Sequence, residues 1–366
     1  MSTPSNAYLA LMGKFSARIP HWESLSNPDF EKLVTGIDPW GKPRSARKKF
    51  LEIYKIDLGY GIPTDDIPIP KPDDSRSSYI DEGGRRRVRW GADFTSNWDW
   101  GKDFHTIEDV LKYEPLEHLD LRDGNIVENR DYSLNDEEFY NEYAKNFTAE
   151  KDLNKEVVSV GFYNTLFMWP LLTFGWELFL ESAGGYPEEL KRLLADFAVI
   201  SRKVFKTFSK LPVNMVVCHD DICMTSGPIC SPKWLRTYIY PYYEEFFDIL
   251  HKGGKKVIFM SDGNVDKVAD DVISCGADGL VSEPMTNWKI LAKKYPDKVL
   301  AGEGDNRILM RGDREEIEKM VRSMVDTAQF CYGYFMRIGN HIPWNILPEN
   351  VKLYFDLSQE LAWRSL

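Results

Sequence analysis

The sequence predicts an α/β fold of the TIM type, a (β/α)8 barrel with an insertion between strands two and three. Three observations carry this expectation. Eight short apolar runs can be read as strands, and in the C-terminal half they alternate with helical segments at a spacing that implies βα units and a parallel sheet. Most of those C-terminal runs stop at a polar or glycine-rich turn, where a barrel places its functional residues. No G-x-G-x-x-G follows a first strand, which weakens the alternative of a doubly wound open sheet.

The strands are expected at Ala17 to Trp22, Tyr54 to Tyr60, Val157 to Phe162, Val213 to Cys218, Lys255 to Met260, Asp278 to Val281, Lys298 to Ala301 and Gly333 to Arg337. Between them, Pro187 to Lys210 reads as a helix with Leu190, Leu193, Leu194, Phe197, Ile200 and Val204 on one face. Ser231 is placed as an N-cap before Pro232, opening a helix that runs to Lys252 and ends at Gly253-Gly254. Val265 to Cys275, Lys289 to Lys294, Asp313 to Phe330 and Pro348 to Trp363 complete the rhythm. Residues 62–156 break it. There, Arg85 to Trp90 looks like half of a hairpin after Glu82-Gly83-Gly84, and the charged run Asp120 to Lys155 suggests an exposed helical cover. The chain is read as one domain, 1–366, carrying that insertion.

Composition narrows the function. With 46 basic and 57 acidic residues the formal charge is −11, which argues against a general nucleic-acid or anionic-membrane surface. Five cysteines spread over 366 residues form no disulfide framework, and the N-terminus lacks a signal-peptide pattern, so a cytoplasmic protein is expected. Val157 to Trp176 carries no charge, but Gly161, Asn164, Pro170 and Gly175 interrupt it; it reads as a buried strand and then an aromatic segment lining a cavity.

Polar residues recur where the strands end. His219, Asp220 and Asp221 follow strand four, Asp262 strand five, Glu283 strand six, Glu303 and Asp305 strand seven, Asn340 and His341 strand eight. Carboxylates and imidazoles at such a rim can act as general acids and bases or hold a metal. Each could equally be a turn or cap residue.

These residues resemble the uroporphyrinogen decarboxylase superfamily. The resemblance is carried by Asp220-Asp221-Ile222 with Ser226-Gly227-Pro228 and Ser231-Pro232-Lys233-Trp234-Leu235, and by Lys255 to Phe259 with Asp262-Gly263-Asn264-Val265. Gly302 to Asp305 with Leu309, Gly312 and Glu315-Glu316, and Asn340-His341 with Pro348 to Val351, extend it; Arg18-Ile19-Pro20 and Trp176 to Phe179 also match. The family implies a deep pocket at the barrel's C-terminal mouth. Its decarboxylases carry an arginine-rich motif after the first proline, where this chain reads His21-Trp22-Glu23-Ser24-Leu25. Its other branch moves methyl groups to or from a corrinoid carried by a separate protein, and many members hold zinc with an H-x-C pair; here those positions read Met260-Ser261-Asp262.

The expectation is therefore a methyltransferase acting on a small methoxy, methylamine or pterin substrate with a corrinoid protein as partner, tetrahydrofolate being a further candidate cofactor. A uroporphyrinogen decarboxylase, with Asp65 or Asp66 as its pyrrole-binding residue, and a non-catalytic pocket-binding barrel are the alternatives. Asp262, Glu303, His341 and Asp221 are the expected catalytic residues. Trp22, Phe162, Trp169, Asn264, Arg337 and Asn340 are expected to contact substrate. If a metal is present, His219, Glu283, Glu303 and His341 are its expected ligands, zinc being the candidate. No nucleic acid or membrane partner is expected, and the resemblance is compatible with a homodimer.

Overall fold

The computed structural model describes residues 4–59, 62–71, 78–80, 86–89, 94–96, 104–122, 130–146 and 156–365. Eight of its strands overlap the expected runs, the first at Trp22 alone: β1 Trp22–Glu23, β2 Leu58–Gly59, β3 Ser159–Phe162, β4 Met215–His219, β5 Lys256–Met260, β6 Gly279–Val281, β7 Val299–Ala301 and β8 Tyr334–Phe335. The chain divides into two compact units. One is built from residues 1–95, 148–157 and 279–366, the other from 96–147 and 158–278.

In the first unit β1, β2, β6, β7 and β8 pair in parallel. β2 pairs β1, with Trp22 opposite Leu58. β8 pairs β7 and β7 pairs β6. A parallel bridge from His21 to Met336 places the β1 segment beside that of β8. The strand order is thus β2-β1-β8-β7-β6, the last strand lying next to the first, as a closed ring requires. The two ends of the chain meet here as well: Ile19 N–H donates to the Ala362 carbonyl and Arg364 N–H to that of Ala17.

The second unit holds β3, β4 and β5, parallel and in that order, with Val216 opposite both Val160 and Val257. Helix Pro187–Lys210 packs its predicted apolar stripe inward, and all six residues of that stripe are buried. Ser231 caps its helix as expected, accepting from Trp234 N–H at 3.2 Å. That helix does not continue to Lys252. It breaks into Pro232–Tyr238 and Tyr240–Lys252, because Pro241 can donate no backbone bond and tolerates only the first turn of a helix.

The insertion differs from its expected form. Ser78–Ile80 pairs antiparallel with Arg86–Arg89, giving the hairpin, while its turn at Glu82-Gly83-Gly84 lies outside the described residues. Of the charged cover, Asp136–Asn146 is helical; residues 147–155 lie outside the described residues. The helix is not merely a solvated face. Phe139 and Tyr143 are buried, Tyr143 meets Phe208 edge-on, and the Lys203 ammonium binds the carbonyls of Tyr132 and Leu134. Among the described residues no helix is long and apolar enough to cross a membrane.

Candidate active site

Strand register builds the site of the second unit. Met260 pairs with His219, so β4 and β5 end level, and the residues two positions further on, Asp221 and Asp262, come side by side. Asp262 N–H donates to Asp221 Oδ1 at 2.8 Å. His219 Nε2 lies 2.9 Å from the same oxygen. Tyr163, the residue after β3, donates its hydroxyl to Asp221 Oδ2 at 2.8 Å, and its ring meets the His219 ring edge-on at 4.2 Å. Imidazole and carboxylate atoms of His219, Asp221 and Asp262 all lie within 4.8 Å of one another.

Charge follows geometry. Burial alone would favour a neutral His219, but the Asp221 carboxylate, its hydrogen bond and the nearby Asp262 and Asp220 outweigh it and hold the imidazolium above its usual range. Burial works against the Asp221 anion too; His219, Asp262 N–H and the Tyr163 hydroxyl reverse that and lower it. Burial pushes the Tyr163 phenol far up, with Asp221 adding to the effect, so it remains a donor.

Asp220 has another task. It is fully buried and accepts from the N–H groups of Leu166, Phe167 and Met168 and from the Tyr243 hydroxyl, each at 2.7 Å. It thereby pins the start of helix Met168–Phe174, whose first N–H groups have no partner within the helix. Burial pushes its pKa up to about 7 against those four donors. Gly263 makes a close approach possible: at φ 83° a Cβ would lie 2.5 Å from the Met224 carbonyl, on the small hairpin Cys223–Met224 and Gly227–Pro228.

Two expected substrate contacts of this unit are core residues instead. Phe162 packs against Trp169, Phe205 and Phe208. Trp169 is fully buried, stacks on Phe197 at 5.6 Å and donates its indole N–H to Ser201 Oγ. Both rings face helix Pro187–Lys210, so the uncharged aromatic stretch fills the interior. Asn264 shapes a turn, accepting from Asp266 N–H.

The remaining expected residues belong to the first unit. Glu303 is half-buried and does not present a free carboxylate. Ser323 and Thr327, one turn apart on helix Arg314–Ala328, donate to Oε1, and the Tyr334 hydroxyl donates to Oε2 at 2.8 Å. Burial raises its pKa, and these three hydroxyls oppose the rise. Trp22 is buried against Phe335, with the Arg337 guanidinium 5.0 Å from its ring and bonded to Ser24 Oγ. Asn340 accepts from the His341 N–H, and Asn306 holds the His341 carbonyl. Glu283 uses its carbonyl to accept from the Trp288 indole and Thr286 N–H. The expected metal set is therefore corrected. Among the described residues the single group of three metal-competent side chains is His219, Asp221 and Asp262; Glu283, Glu303 and His341 form no such group.

His341 is held neutral. Burial, then the Arg337 charge, pull its imidazole down to about 4, which removes it as a proton donor at neutral pH. A base whose folded pKa lies below its unfolded value of 6.5 stabilises the fold only while both states are neutral. As pH falls from 6.5 to 4 the unfolded chain takes up the proton first, and stability drops by about 3 kcal/mol. His341→Gln is expected to flatten that loss, read as the difference between denaturation free energies at pH 7 and pH 4.5.

The positions set against the decarboxylases' motif, and the two aspartates of that alternative, make local contacts. Glu23 is fully buried, bonded to Tyr354, His21 and the Ile338 N–H. Asp66 accepts from Ser45 N–H and Oγ at the start of helix Pro43–Tyr54, and Asp65 accepts from Thr64 and the Ile67 N–H.

An α/β chain whose candidate cluster lies where adjacent parallel strands end has the architecture of a barrel enzyme family, and residues 144–361 match the uroporphyrinogen decarboxylase (URO-D) family. The chain belongs to that family, and its fold class is the TIM-type barrel. Among solved structures it is similar to a methyltransferase from Methanosarcina mazei, at 15% identity and a TM-score of 0.62, over 97% of each chain. No curated protein matches it.

Proposed function

We propose that this chain is a methyltransferase that moves a methyl group between a small methylated compound and a corrinoid carried by a separate protein. The observation that carries the reading is the His219–Asp221–Asp262 cluster, set where two adjacent parallel strands end. When bound, the corrinoid supplies the nucleophilic cobalt that accepts the methyl. The chain's own task is to stabilise the oxygen or nitrogen left behind, which needs a proton or a cation as its bond to methyl breaks. His219 and Asp262 remain partly open to solvent, while Asp221 is fixed from behind by Tyr163. The cluster is thus reachable, with one rigid carboxylate and two groups able to meet substrate. The full-length fold likeness to a methyltransferase supports the same reading.

The test mixes purified protein with cobalt(I) cobalamin and, separately, a methoxyaromatic, a methylamine and methyl-tetrahydrofolate, and follows the visible spectrum. Formation of methylcobalamin with one of them is expected. No spectral change with any of the three, alongside loss of carboxyl groups from uroporphyrinogen, would replace the proposal with decarboxylation.

A further inference from the structure

The cysteine-based zinc site of the family does not fit this chain. Its H-x-C positions are Met260-Ser261-Asp262, and the Ser261 hydroxyl is buried and donates to the Asp262 carbonyl. Of the five cysteines, none joins a group of metal-competent side chains among the described residues.

The same end of β4 and β5 offers a different donor set. We infer that His219, Asp221 and Asp262 form a binding site for one divalent transition cation of the zinc class, ligated by one nitrogen and two carboxylate oxygens. Three features of the cluster support this. The donor type is right: imidazole nitrogen with carboxylate oxygens suits zinc, manganese or cobalt(II), and two carboxylates balance a 2+ charge. The spacing is right as well. Bonds of 2.0–2.1 Å to a tetrahedral ion put ligand atoms about 3.3 Å apart, and here they span 2.9 Å for His219–Asp221 and at most 4.8 Å overall, so small side-chain rotations close the set. Third, Asp221 is pre-oriented: Tyr163 fixes Oδ2 from outside, the kind of outer hydrogen bond that holds a carboxylate ligand in place. Asp220, next in sequence, is not part of the group: it is fully buried and turned toward the N–H groups of Leu166, Phe167 and Met168 and the Tyr243 hydroxyl.

Three protein ligands leave at least one position open, the arrangement of a catalytic rather than a structural ion. A substrate oxygen or nitrogen bound there would gain its positive partner without a proton. The inference concerns binding alone and stands apart from methyl transfer.

The test uses the full-length protein, stripped by chelator and dialysed. Zn²⁺, Mn²⁺ and Co²⁺ are each titrated calorimetrically, with bound metal counted by mass spectrometry and the Co²⁺ form read by visible absorption. One ion per chain is expected for at least one of the three metals. Asp262→Asn and His219→Gln should each weaken it at least tenfold with circular dichroism unchanged, and Glu303→Gln should bind as the parent does. Absence of stoichiometric binding, or binding equally strong in both site variants, overturns the inference. If Asp262→Asn fails to fold, Asp221→Asn and His219→Gln decide it by the same criterion. A bound ion in a protein inert toward every methyl donor would keep the site and remove the methyltransferase reading. Full methyl transfer by verified metal-free protein would keep that reading and remove any role for the ion.

Discussion

Asp262→Ala and His219→Ala are each expected to lower methyl transfer by about 10²–10³, the range that follows loss of a group acting on the departing atom. The effect should fall on the catalytic rate more than on the concentration of substrate needed, because the interaction matures only as the bond breaks. The two changes together should cost little more than either alone, since both disable one cluster in which Asp221 touches both partners. Steady-state rates with the methyl donor identified spectroscopically provide the measurement. Rates within threefold of the parent in both variants would remove this cluster from the chemistry.

The largest effect on stability is expected at a residue that does no chemistry. Asp220→Ala leaves three buried N–H groups and the Tyr243 hydroxyl without their acceptor. At about 1–3 kcal/mol for each orphaned donor, offset by water entering the space and by relief from burying a carboxylate, the net loss is about 4 kcal/mol. Asp220→Asn keeps one acceptor oxygen and should lose about half as much. Urea denaturation of the two variants distinguishes this from a catalytic role: an unchanged midpoint with lost activity would contradict the assignment.

The barrel strands were legible because each is a short apolar run between polar stops. β1 and β2 were the least legible. The predicted strand from Tyr54 overlaps helix Pro43–Tyr54, and only Leu58–Gly59 pairs. Half of the candidate cluster is legible for the same reason. Asp221 and Asp262 lie two residues past register-matched strand ends, and both follow directly from where the strands stop. Tyr163 is not legible, although its neighbour Phe162 is an expected contact, because successive side chains alternate between faces and an apolar run does not reveal which face is which. Phe162 meets the helix, and Tyr163 meets Asp221. The direction of the Glu303 side chain is not legible for a related reason. Gly302 adopts φ 122° with a Cβ position 1.7 Å from the Ser282 carbonyl, so the backbone leaves the strand conformation there and alternation no longer says where the next side chain goes. Its partners Ser323 and Thr327 lie 20 or more positions along the chain.

The lacing of Ala17 and Ile19 to Ala362 and Arg364 has a consequence for biogenesis. Residues 158–278 are nearly contiguous, so their three strands and the helices around them can settle while the ribosome is still working. The other unit has no such freedom. Its opening strand pairs early with β2, but its other neighbour lies more than 300 residues further along the chain, and distant pairings of that kind slow folding. A nascent chain halted before Tyr334 would expose one edge of that sheet to chaperones.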